Sequence, residues 1–271
     1  MPIPIYQVDA FARLPFAGNP AAVCPLPEWL PAETMQQIAA ENNLAETAFF
    51  VPLAEGEEAD FHLRWFTPTF EIDLCGHATL ATAHVLWTER GFTKPEIIFQ
   101  SQSGPLRVRR EHDGRLVLDF PSRPPQLLAV AQHPAALLPS LGPGAAAPLA
   151  VLASRDLVVE FASAEEVLAL RPDFVALESL GYIGLIATAP GGEGVDFVSR
   201  FFAPEVGVPE DPVTGSAHST LIPFWAAKLG KTELFARQES ARGGELWCRL
   251  RGDRVDIGGY AVTYLRGEIV V

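Results

Sequence analysis

The sequence predicts a mixed α/β protein made of two pseudo-symmetric lobes, each with a sheet around one buried helix. Three observations carry this. Short β-like runs alternate with isolated helices along the 271 residues, a length that suits two compact lobes. A stretch rich in proline and alanine, residues 121–148, separates two halves of the same plan. A local pattern also recurs, because Phe66-Thr67-Pro68 leads through Asp73 to Cys75-Gly76-His77-Ala78. Phe202-Ala203-Pro204 leads likewise through Asp211 to Thr214-Gly215-Ser216-Ala217, with three extra residues before the glycine. Duplication about a pseudo-two-fold axis explains the repeat and would set two glycine-led helix N-termini face to face.

In chain order, the runs IYQVDAF, AAVCPL, TAFFVPL, FHLRWF and EIIFQ read as strands. LRVRR and RLVLDF form a further pair around the turn His112-Asp113-Gly114. A helix is expected from Pro31 to Asn42, with Met35, Ile38 and Ala39 on its apolar side. Another is expected from Gly76 to Glu89, with Ala78, Ala81, Val85 and Leu86 inward. The crossover holds one short helix near Ala135–Leu141. Beyond it, LAVLA and LVVEFA read as a hairpin around Ser154-Arg155-Asp156, and IGLIATA, DFVSRFF, ELWCRLR and RVDIG follow as strands. The helix from Gly215 to Leu229 is apolar nearly all round and is expected to be buried in its own sheet, bent at Pro223. The resulting division is an N-terminal lobe over residues 1–121 and a C-terminal lobe over 122–260.

Composition excludes several function classes. Hydrophobic residues make up 48% and charged residues 20%, which is ordinary for a folded globule. The net charge of −13 leaves no basic stripe for nucleic acid. An anionic small substrate stays compatible if backbone N–H groups hold its charge locally. No segment reaches the roughly 18 apolar residues that a membrane span needs. The start lacks the pattern of a signal peptide. Cys24, Cys75 and Cys248 are odd in number and far apart, so a disulfide framework is not expected and a cytoplasmic location is. The six histidines show no metal-site spacing, and no dinucleotide or phosphate loop occurs, so neither metal nor cofactor is expected.

Several residues could carry chemistry. The starts at Gly76 and Gly215 offer unpaired N–H groups and a partial positive charge, which suit a carboxylate. Glu46, in Glu41-Asn42-Asn43-Leu44-Ala45-Glu46-Thr47, lies among small and apolar neighbours, where desolvation would favour a proton shuttle. From spacing alone the favoured reading is a surface residue at a strand entrance. His77 and Ser216 hold equivalent places in the repeat, where a lone histidine reads as a helix-capping or core residue, and Asp211 precedes the second glycine. Ser216 is not in a G-x-S-x-G elbow, so a serine hydrolase is poorly supported.

Together, VDAFARLPFAGNPAAV, AAENNLAETAFF, LRWFTPTFEIDLCGHATLATAHVLW, SRFFAPEVGVPEDPVTGSAHSTLIPFWAAKLGK and the final GYAVTYLRGEIVV resemble the phenazine-biosynthesis PhzF-like isomerases, in order and across essentially the whole chain. The resemblance implies a diaminopimelate epimerase-like fold, with a mixed, barrel-like sheet around a central helix in each lobe. It also implies a last strand, about residues 261–271, returning to the first lobe. It implies cofactor-independent proton relocation on a small acid such as 2,3-dihydro-3-hydroxyanthranilate, and a homodimer. On the matching positions Glu46 is the general acid/base, with His77 and Asp211 beside it and Asn19, Gly76, Gly215 and Ser216 toward the substrate. One departure from the epimerase stands out. That enzyme opposes two cysteines, whereas Cys75 here would answer to Asp211 and Thr214, so two-thiol racemisation is not expected. An isomerase of another small acid, or a binding protein that makes no product, are the alternatives.

Overall fold

The computed structural model describes residues 2–271, which divide into two compact units: 2–120 with Ile257–Val271, and Pro121–Asp256. The first unit begins with β1 (Ile3–Ala10), β2 (Asn19–Pro25), α1 (Ala32–Asn42), β3 (Glu46–Pro52), β4 (Phe61–Phe66) and β5 (Glu71–Ile72). It continues through α2 (Gly76–Thr88), β6 (Glu96–Ser101), β7 (Gly104–Arg110) and β8 (Leu116–Pro121). The C-terminal strand Ala261–Ile269 lies antiparallel to β1, pairing Ile269 with Ile3. β1 is antiparallel to β2, β2 parallel to β3, β3 antiparallel to β4, and β4 parallel to β6. Hairpins then join β6 to β7 and β7 to β8. The two parallel pairs arise where α1 and α2 carry the chain across, since parallel neighbours need a long connection. α2 packs against β1, β2, β3 and the C-terminal strand, and only His84 and Thr88 of its residues are not buried. An all-round apolar helix finds that degree of cover only inside a curved sheet.

The second unit repeats this order of pairing. Its strand Leu157–Glu160 is parallel to Leu185–Pro190, which is antiparallel to Phe197–Ala203. Phe197–Ala203 is in turn parallel to Glu233–Gln238, the antiparallel partner of Gly244–Arg251. The short helices α3 (Leu137–Ser140), α4 (Ala164–Ala169) and α5 (Phe174–Glu178) precede the central helix α6 (Gly215–Leu229). α4 and α5 fall where the first unit has α1. Each is started by a side chain, Ser163 accepting from the Glu166 amide and Asp173 from those of Val175 and Ala176.

Some expected elements differ. The strand LVVEFA stops at Glu160, and the helix of the crossover shortens to Leu137–Ser140. Glu233–Gln238 and Val208–Asp211 are strands that the sequence pattern did not announce. The inward face of Glu233–Gln238 is Leu234, Ala236 and Gln238, a weak alternation because two of the three are small or polar.

In the second core, Trp225 of α6 is fully buried. It stacks on Phe197 at 5.7 Å and donates Nε1–H to Thr188 Oγ1 at 2.9 Å. Trp225→Ala is expected to lower unfolding free energy by about 4 kcal/mol in urea titration, combining lost burial, a cavity and one lost buried hydrogen bond to Thr188.

Candidate active site

The first unit gathers Asn19, Glu46, Cys75, Gly76 and His77. Asn19 opens β2 and Glu46 opens β3, and these strands run parallel with Ala21 opposite Glu46. Their starts therefore reach the same end of the sheet, where α2 begins. Cys75 is the N-cap of α2 and makes no side-chain capping hydrogen bond, so the first helical amides, at Gly76 and His77, keep the unpaired character of a helix start. Asn19, Glu46, Cys75 and His77 are all buried.

The imidazole of His77 sits between three groups. Its Nε2 lies 2.9 Å from Oε2 of Glu46. Its Nδ1 lies 3.1 Å from Nδ2 of Asn19 and 3.5 Å from Sγ of Cys75. The contact with Glu46 has ion-pair distance without hydrogen-bond alignment, and both facing atoms lack a hydrogen-bond partner among the described residues. An amide can serve either state of the ring, donating to a bare Nδ1 or accepting from Nδ1–H.

Burial disfavours the charged form of His77, but the Cys75 sulfur and the Glu46 carboxylate outweigh it and push the imidazole well above its usual 6.5. Burial, reinforced by the negative charge of Glu46, pushes the Cys75 thiol up to about 11. Near neutrality the thiol therefore keeps its proton, and the carboxylate is the charge that holds the imidazolium. A histidine raised on folding contributes stability that is fully present below its unfolded value and is lost as pH rises through its folded one. The stability advantage of wild type over His77→Gln is thus expected to be greatest below pH ~6.5 and to shrink as the pH rises into the alkaline range. Urea titrations of both proteins across that window check it, and an advantage that grew with pH would reverse the assigned charge.

In the second unit, Asp211 ends a strand and Thr214 is the N-cap of α6, followed by Gly215 and Ser216. Thr214 donates its hydroxyl to Oδ2 of Asp211. Gln238, which sequence reasoning missed, braces this turn. Its Nε2 donates to the Asp211 carbonyl at 2.7 Å, and its Oε1 accepts from the Thr214 amide at 2.8 Å. Its only signal was an inward polar position on an unrecognised strand. The repeat extends one residue beyond the expected motif. Thr79 donates Oγ1–H to the Cys75 carbonyl at 2.5 Å, and His218, at the same place in α6, uses Nδ1–H on the Thr214 carbonyl at 2.8 Å. Burial pushes His218 down to about 4, so it is a neutral structural donor.

Comparison with known proteins gives a consistent picture. The family model described as phenazine biosynthesis-like protein matches residues 8–267. A Pseudomonas aeruginosa protein named as an uncharacterized isomerase is 53% identical, over 99% of each chain. The crystal structure of a phenazine biosynthesis protein of the PhzF family from Enterococcus faecalis superposes with a TM-score of 0.92 at 46% identity, covering 100% of both chains. A hydroxyproline epimerase from Agrobacterium vitis gives a TM-score of 0.61 at 11% identity over 99% of this chain and 92% of that one, a likeness of fold alone. The expected epimerase-like mixed α/β fold is thereby established. No helix among the described residues is long and apolar enough to cross a membrane.

Proposed function

The chain belongs to the phenazine biosynthesis-like (PhzC-PhzF) protein family, and on that premise we propose that it is an isomerase relocating a proton on a small carboxylate-bearing substrate by carboxylate acid/base catalysis. The observation that carries this reading is the buried contact of Glu46 with His77, 2.9 Å apart beside the open N-terminus of α2. Glu46 takes a proton from an activated carbon and returns it to another position of the same molecule, so atoms and charge balance without a second reactant. The amides at Gly76 and His77 provide fixed dipoles for the substrate's anionic group, and they need no reorganisation as charge develops. The His77 imidazolium beside the carboxylate supplies a positive charge and a proton donor within a low-dielectric surrounding.

Asn19 is assigned to the substrate side of His77. Asp211, Gly215 and Ser216 are assigned companion roles through the family resemblance and the repeat. The reading extends to a homodimer in the cytoplasm with a small anionic substrate. The first substrate to test is 2,3-dihydro-3-hydroxyanthranilate, followed by other small acids bearing an activated C–H. In deuterated buffer, wild type is expected to place deuterium in the product and Glu46→Gln to leave substrate unlabelled. Turnover without any solvent deuterium, across the acids that react, would count against a proton shuttle exchanging with water.

A further inference from the structure

We propose that the end of the first unit remote from Glu46 and His77 carries a second binding site, for a small aromatic carboxylate. β2 and β3 begin at Asn19 and Glu46, so Pro25 and Pro52 mark their far ends, and α2 likewise ends far from Gly76. The 7 residues of β3 put that end about 20 Å from Glu46. A cleft of about 390 Å³ opens there, within the range of small-molecule sites. Its wall is aromatic and fixed. The buried ring of Phe50 meets Phe61 edge-on with centroids 5.4 Å apart, and Phe61 meets Phe92 at 5.6 Å. Phe50 and Phe61 stand on the paired strands β3 and β4. Phe92 is set by the end of α2, where the chain turns through Gly91 at φ +68° and the Phe92 amide returns to the Leu86 carbonyl at 3.0 Å. Leu86, itself buried, lines the cleft from the helix. Such a wall suits another flat ring, and it has few loose side chains to order on binding.

Arg90 supplies the charge. It lines the same cleft, is exposed, and its side chain makes no ion pair or hydrogen bond among the described residues. The other lining residues, Leu26 apart, are prolines, which have no amide N–H, and the Leu26 amide is bonded to the Phe50 carbonyl at 2.9 Å. An anion entering the cleft therefore finds one strong partner, the planar fork of Arg90, which matches a carboxylate bidentately. A chain of net charge −13 has no general attraction for anions, so this single contact selects the acid group.

The site uses none of the groups assigned to proton transfer, so it stands or falls apart from the acid/base reading. The test titrates the ¹⁵N-labelled full chain with 2-naphthoate and, in parallel, with 2-naphthylmethanol, its uncharged counterpart. The reporter is the Trp87 indole N–H, which donates to the Lys94 carbonyl at 2.8 Å from a ring 6.5 Å from that of Phe92. Trp225, in the second unit, is the control. Expected are a saturable shift of the Trp87 signal at a Kd of about a millimolar and binding of the alcohol roughly fivefold weaker. Arg90→Gln, a surface change that leaves the core alone, is expected to lose the same roughly fivefold for naphthoate and nothing for the alcohol. A silent Trp87 signal, with shifts gathered at the Gly76 and His77 amides, would put the acid in the candidate active site alone and overturn the second site. Alcohol bound as tightly as naphthoate in wild type, or naphthoate affinity unchanged in Arg90→Gln, overturns it equally, and the first of these readouts needs no variant.

Discussion

Glu46→Gln is expected to reduce kcat/KM by ~10³-fold, about 4 kcal/mol of transition-state stabilisation, with the protein still folded. The substitution keeps the shape of the side chain and removes only its ability to accept and return a proton. It also removes the carboxylate that helps hold His77 above its usual range. The ring then sheds its proton instead of remaining a buried, unpaired charge, which limits the stability cost. Two measurements separate chemistry from folding: turnover with solvent deuterium incorporation, and His77 titration by NMR. Lost turnover with a lowered His77 value in a folded protein is the expected pair. A fully active Glu46→Gln protein would falsify the assignment of the base.

Gly18→Ala is expected to cost about 3 kcal/mol of unfolding free energy and roughly 10²-fold in turnover, although Gly18 is not assigned to the substrate. Gly18 has φ +66°, and a Cβ there would stand 2.1 Å from the Ala10 carbonyl oxygen and 2.9 Å from the Ala12 Cβ. Neither obstacle can swing aside, since the first is backbone of β1 and the second is fixed to a buried residue. The loop is already constrained. Phe11 and Phe16 both hold positive φ, and the Phe16 amide donates to the buried Asp9 carboxylate at 2.9 Å. Relief must therefore move the start of β2, and with it Asn19, away from His77. Urea titration reads the first effect and steady-state kinetics the second. Wild-type stability in Gly18→Ala would mean that the loop relaxes without moving β1.

Much of the fold was legible because it depends on periodicity and punctuation. The short β-like runs VDAF, AAVC and FHLRWF, the apolar run of α2 and α6, and the turn at Asp113-Gly114 each follow from local chemistry. The repeat added the plan of the second unit. Glu233–Gln238 was missed because its inward positions include Ala236 and Gln238, which do not advertise a strand. α4 and α5 were missed because one helical turn and a half offers too little pattern to distinguish from a loop.

The candidate site was legible to a different degree. Local spacing favoured Glu46 as a surface residue and His77 as a helix-start or core residue, and only the family resemblance singled them out. By itself the sequence determined the class of fold, the duplicated plan and the residue types available near two helix starts. Tertiary structure decided that Glu46 meets His77 at 2.9 Å, that Cys75 stands at the other edge of the same ring, and that Gln238 braces Asp211 and Thr214. The physical reason is range: helices, strands and turns are set by neighbours within a few residues. A buried carboxylate and an imidazole 31 positions apart meet only when the fold brings the start of β3 to the N-terminus of α2.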